Sequence, residues 1–430
     1  MRAFVFLVLA AGALWALLHF YPRSESLASD PSESHEGGRG AETGRDGPPA
    51  APSPGGSGAS IEPPSAAGSQ QPEWDVGLSG APHLVELGAL LAHGGAADLE
   101  RALAARGESE PRATLALAFA LALEGQRQRA LDLAQPLQGD GGLGAAELEL
   151  MGRALGRPPA GVLPTAQRAQ DPLVRGMVMA LESVQARAHL DAGRQREAAR
   201  LYSDLLLGEI HAPWPSDRAR LAEWTEGLRR AQAGHRWNPR SEWPAVEVTV
   251  RPGDSMTIVR RRVLDQNPEL VICTGMIERA NRIGGRYLQP DEVLKVPTEP
   301  VRTLVDLSAR WVLYLLGDEV AAAWEVGIGR EGHETYLGSF VVGDKQEKPM
   351  WFPGPGQDPV PHGHPENPLG SHWVGWNYPD GGKTGLGFHG TDEPHTVGQA
   401  VSSGCIRMRD EDVGELFRII PRDTPVRVQP

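Results

Sequence analysis

Cysteine is scarce: the 430-residue chain has two, Cys273 and Cys405. Two cannot build a disulfide framework or a cysteine-based zinc site. Positive charge is in deficit, with 42 Lys and Arg against 55 Asp and Glu and a net charge of −13. That excludes the basic face that nucleic acid requires, so no nucleic-acid partner is expected. It also excludes polybasic attraction to anionic lipid. Aromatics and lysine are missing altogether from residues 23 to 73, which are rich in Ser, Gly, Pro, Ala and Glu. Such a stretch cannot bury enough apolar surface to offset its chain entropy. Residues 23–75 are therefore expected to be a disordered linker with a root-mean-square reach of ~40 Å. His362, His364 and His372 lack the carboxylate spacing of a metal site; neither metal nor cofactor is expected.

What is present begins with an apolar run from Ala3 to Tyr21, broken only by His19 and followed by Pro22. Residues 1–22 read as a signal peptide or membrane anchor. Export to the periplasm or cell envelope follows, with a tether to the inner membrane. Residues 76–240 carry helix formers at helical spacing. Within them, Ala116–Leu131 resembles Ala186–Ala199: Gly125 aligns with Gly193 and Ala130 with Ala198. The offset of 68 residues is twice the 34-residue period of tetratricopeptide repeats, so an α-helical, TPR-like region is expected. A groove for a protein partner is one reading of it, and a spacer of packed helices is the other. Trp214, Trp224, Trp237 and Trp243 cluster near its end and read as core or junction packing.

From Val246 the texture changes. Val248–Val250 reads as a strand, and Pro252-Gly253-Asp254-Ser255 as a turn into a helix from Met256 to Leu264, with Asp254 or Ser255 as its cap. Met276–Asn281 belongs to a second helix, and Val293–Pro297 is a closing strand. Cys273, in the loop between the helices, reads as a small buried apolar residue. Residues 300 to 342 alternate like strands: Thr303–Leu307, Trp311–Leu315, Val320–Gly327 and Gly338–Val342. Glycine and proline crowd 343 to 387, predicting long loops and short strands. One late helix, Asp410–Ile419, opens on acidic residues.

The chemistry concentrates in His389-Gly390-Thr391 and Ser402-Ser403-Gly404-Cys405-Ile406-Arg407. A thiol attacks only once deprotonated, so a catalytic cysteine needs a base nearby. His389 is that base and Cys405 the nucleophile, with fifteen residues between them, a separation that suits two adjacent strands. Gly404 permits a strained turn, and the amides of Ser403, Gly404 and Cys405 form a candidate oxyanion hole. Arg407, two residues on, is a candidate anion anchor on the same side as Cys405. Gly390, Thr391, Ser402, Trp373 and Tyr378 are further candidates for substrate contact. His372, Trp376 and His395 are weaker ones.

Two family resemblances follow. The module over 246–298 resembles a LysM domain through Val250, Pro252–Ser255, Ile277, Asn281, Leu288-x-Pro290 and Leu294-x-Val296-Pro297. This implies a βααβ fold that binds N-acetylglucosamine-containing glycan. Residues 300–430 resemble the YkuD-type L,D-transpeptidases. The matching residues are His389-Gly390-Thr391, Ser402-x-Gly404-Cys405-Ile406-Arg407, Gly327-Ile328-Gly329, Thr335-x-x-Gly338-x-Phe340 and Asn367-Pro368-Leu369-Gly370. That resemblance implies a mostly β, sandwich-like catalytic domain acting on peptidoglycan. Cys405 would take an acyl group from a stem tetrapeptide as a thioester and pass it to an amine. Water as acceptor would make the enzyme an L,D-carboxypeptidase; a non-catalytic peptidoglycan-binding scaffold is the other alternative. Ser403 stands where the family has a second histidine, and Tyr336 where it has a proline.

Overall fold

The computed structural model describes residues 82–106, 110–137, 142–159, 163–354 and 356–430. The expected anchor and linker, residues 1–75, lie outside the described residues.

The helical part runs through α1 (Pro82–His93), α2 (Ala96–Arg106), α3 (Pro111–Leu123), α4 (Arg127–Ala134), α5 (Ala145–Ala154), α6 (Pro172–Asp191), α7 (Gln195–Glu209) and α8 (Arg218–Gly234). Local chemistry sets the boundaries. Pro172 follows Asp171, whose side chain caps α6 by accepting from the Val174 amide. The turns α3–α4 and α6–α7 end alike. Gly125 and Gly193 have φ of 79° and 73°. The amides after them reach back five residues, from Gln126 to Leu121 and from Arg194 to His189. Ala130 and Ala198 are then fully buried, where any larger side chain would force the paired helices apart. The two sequence-similar segments thus form two similar hairpins.

A second piece pairs β1 (Ala245–Thr249) antiparallel with β2 (Val293–Pro297), Ala245 opposite Pro297. Between them lie α9 (Met256–Gln266) and α10 (Thr274–Ala280). Ser255 caps α9. Buried Asn281 ties α10 to β2: its amide donates to the Ile277 and Lys295 carbonyls and its oxygen accepts from the Lys295 amide. Cys273, partly buried, donates to the Arg418 carbonyl at 3.2 Å.

The C-terminal part is one eight-stranded mixed sheet, ordered β11-β9-β8-β7-β12-β3-β4-β5. Its strands are β3 (Val301–Asp306), β4 (Trp311–Leu316), β5 (Glu319–Glu325), β7 (Gly338–Glu347), β8 (His372–Asn377), β9 (Lys383–His389), β11 (Ile406–Arg407) and β12 (Pro425–Gln429). Short β6 (Ile328–Gly329) and β10 (Ala400–Ser402) pair separately, in parallel. The domain is mostly β as expected, with its main strands in one continuous sheet in place of two facing sheets. Helix α11 (Asp410–Ile419) packs on one face at β8 and β9, and the helical part packs on the other along β3, β4 and β5.

That double cover explains β4, whose six residues are all buried. Trp311, Leu313 and Leu315 join the core of the helical part, while Val312, Tyr314 and Leu316 join the core under α11. Alternation apolar-in, polar-out fails because both sides are in. Strand β5 is the sheet's edge, with backbone groups lacking a strand partner. Side chains from the helical part and the turn after it satisfy them: Ser203 accepts from the Val320 amide, Gln232 donates to the Val320 carbonyl, and Trp237 donates to that of Ala321.

Candidate active site

Strand β11 runs parallel to β9 with Arg407 opposite His389 and Ile406 opposite Phe388. Cys405, just before β11, therefore comes level with Gly387, whose amide donates to Sγ. Residues 387 and 389 of one strand face the same way. The pairing brings Cys405 and His389 to one face at one end of the sheet.

His389 is 4% exposed. Its Nδ1 lies 2.6 Å from the Gly390 carbonyl oxygen. A carbonyl only accepts, so Nδ1 carries the proton and Nε2 is left as the basic nitrogen. Trp373, opposite His389 on β8, stacks on the imidazole at 6.2 Å between ring centroids. Burial pushes the His389 pKa down to about 4. It pushes the Cys405 thiol up to about 11, against the opposing pull of the Gly387 amide and Arg407. The resting pair is thus neutral thiol and neutral imidazole.

The turn before Cys405 is built by Ser402. Its hydroxyl donates to the Cys405 carbonyl (2.6 Å) and accepts from the Gly404 amide (3.2 Å). Gly404 has φ 110°, a conformation that L side chains avoid. This bears on the expected oxyanion hole: Gly404's amide is occupied by Ser402, which leaves the amides of Ser403 and Cys405 as the candidates. Ser402 is 4% exposed and shapes the turn instead of meeting substrate.

Arg407 Nη1 bonds Glu393 Oε2 (3.0 Å) and Thr396 Oγ1 (2.9 Å). Its Nε is buried without a partner among the described residues. Through Nη1 the guanidinium braces the 393–396 loop. Gly390 and Thr391 are likewise structural. Thr391, 4% exposed, donates its amide to Asp410 Oδ1 (3.1 Å), which also accepts from the Ser371 amide (3.0 Å). A Cβ on Gly390 would strike the same carboxylate. Tyr378 sits in the β8–β9 turn and packs on Phe340. Trp376 is core, and His372 packs on Phe417 under α11.

Asp410, which sequence reasoning read only as a helix-starting acid, is the clamp that holds the loop after His389. A signal existed in the acid's place three residues past Arg407, but its targets, Ser371 and Thr391, are set only by the fold.

A buried imidazole of fixed tautomer, on the strand paired with the one that follows a cysteine in a glycine turn, is an arrangement compatible with cysteine acyl transfer. The YkuD family, the L,D-transpeptidase catalytic domain, matches residues 300–428. "Putative L,D-transpeptidase YkuD" of Bacillus licheniformis is 28% identical over 188 residues, 42% of this chain and 97% of its own. "Putative L,D-transpeptidase YqjB" of Bacillus subtilis is 32% identical over 133 residues, 31% of this chain and 73% of its own. Among solved structures, the Ldtfm–avibactam carbamoyl enzyme is 25% identical, covering 34% of this chain and 55% of its own, with a TM-score of 0.26. The chain belongs to the YkuD-type L,D-transpeptidase family and is an enzyme of that class.

Proposed function

We propose that the enzyme is a peptidoglycan L,D-transpeptidase working through a Cys405 thioester. His389 Nε2 takes the thiol proton as Sγ attacks the carbonyl of the third residue of a stem tetrapeptide. The carbonyl oxygen becomes an oxyanion held by the amides of Ser403 and Cys405. The tetrahedral adduct collapses: the C–N bond breaks, His389 returns the proton to the leaving D-alanine amine, and the thioester remains. An amine acceptor then attacks, with His389 again as base. The observation that carries this reading is the β9–β11 pairing, with Nδ1 of His389 spent on the Gly390 carbonyl. A carbapenem should leave one mass adduct on the wild-type protein, mapped to Cys405, and none on Cys405→Ala. An adduct that survives the substitution would refute the assignment.

For the rest of the chain the reading is as follows. Residues 246–298 are a LysM domain for N-acetylglucosamine glycan, supported by the βααβ order and the Asn281 tie. Residues 76–240 are a TPR-like region, supported by its two matched hairpins. Its first role is to buttress β4 and β5, and a protein partner would meet the face turned away from them. Residues 300–430 are the catalytic domain, and the site of action is the cell envelope.

A further inference from the structure

Nη1 of Arg407, the expected anion anchor, is tied to Glu393 and Thr396. A second guanidinium, which no motif singled out, stands against the turn that carries Cys405. Arg330 follows β6, and its backbone amide bonds the Ser402 carbonyl at 3.0 Å. Its Nη1 donates to Ser403 Oγ (2.9 Å) and lies 3.3 Å from the Ser402 carbonyl oxygen. No other partner engages this side chain among the described residues, and Arg330 is exposed. The loop it begins crosses the nucleophile's turn. A Cβ placed on Gly404 would sit 3.5 Å from the Glu334 carbonyl and 3.8 Å from that of His333. The acids of this loop do not quench the charge: Glu334 turns back to the Gly332 amide at 2.8 Å, and Glu331 forms no ion pair among the described residues.

We propose that Arg330, held by Ser403, is the subsite for a carboxylate within one residue of the scissile carbonyl. The chemistry fits. Ser403 contributes a candidate oxyanion amide through its backbone and orients Arg330 through its hydroxyl. Nη1 is committed to the Ser403 hydroxyl and the Ser402 carbonyl, while Nε and Nη2 of this exposed side chain have no partner among the described residues and form an edge suited to a carboxylate. The proposal rests on the acyl-transfer reading for its substrate, but the charge beside Cys405 can be measured without turnover.

Two measurements test it, both on the full chain. Iodoacetate and iodoacetamide each alkylate a thiolate by displacing iodide, and differ in one negative charge. Their rate ratio at Cys405, read by peptide mapping to separate it from Cys273, should fall about two- to fivefold in Arg330→Gln and hold in Arg330→Lys. Ser403→Ala should fall part-way, with an unchanged thermal melt. Next, kcat/KM for a peptide donor ending in a free carboxylate, relative to its carboxamide, should drop about tenfold or more in Arg330→Gln, mainly through KM. An unchanged alkylation ratio in folded Arg330→Gln overturns the subsite, whatever the turnover. A shifted ratio with no turnover in the wild type upholds the subsite and refutes the transpeptidase reading instead.

Discussion

The two sides of the Cys405 turn are built on different principles. On the His389 side everything is fixed. The imidazole is buried, its tautomer set by the Gly390 carbonyl, and the following loop clamped by Asp410. On the 330–337 side the groups are open: Arg330, Tyr336 and Leu337 are exposed, the last two at 58% and 57%. The difference teaches where each task belongs. A base must hold one geometry within a fraction of an ångström, which buried, doubly bonded groups provide. Recognition of a flexible peptide needs surface that the ligand can reach.

The sharpest way to break this contrast is at the fixed side. His389→Gln keeps the shape but removes the base. It should lower kcat/KM by roughly 10²–10⁴-fold with the melting temperature little changed. A loss under tenfold would mean another base serves Cys405. Asp410→Ala comes next. It strands the amides of Ser371 and Thr391 and should cost about 1–3 kcal/mol in denaturant unfolding, with activity falling alongside. A variant of undiminished stability would show that the clamp is incidental.

The neutral pair has its own signature. A thiol with its pKa raised to about 11 is protonated at every lower pH. Alkylation of Cys405 by iodoacetamide should therefore climb about tenfold per pH unit up to pH 9 without levelling. A plateau between pH 5 and 8 would reveal a thiolate–imidazolium pair and reverse the reading. The smallest effect is expected at the open side: Tyr336→Ala removes an exposed ring and should shift stability by about 0.5 kcal/mol or less.

How much of this was legible beforehand depended on sequence distance. Strand β2 and helix α11 match their expected bounds because caps, prolines and periodicity act locally. The placing of His389 and Cys405 on adjacent segments was legible because fifteen residues between them suit neighbouring strands, and β9 and β11 do pair. The ties of Arg407 to Glu393 and Thr396 were not legible, because they lie on a loop whose return path no local pattern specifies. Gly404's amide was counted as free because the Ser402 hydroxyl's direction depends on the turn's φ of 110°. The seating of the helical part on the β5 edge was hidden for the same reason. An amphipathic pattern says that a face is covered but not by what.

The most direct test is to incubate the protein with a stem tetrapeptide and follow released D-alanine together with intact-protein mass. The account predicts a tripeptide thioester on Cys405 and one equivalent of D-alanine before any acceptor is added, both lost in Cys405→Ala and slowed in His389→Gln. D-alanine release that continues in Cys405→Ala would contradict it.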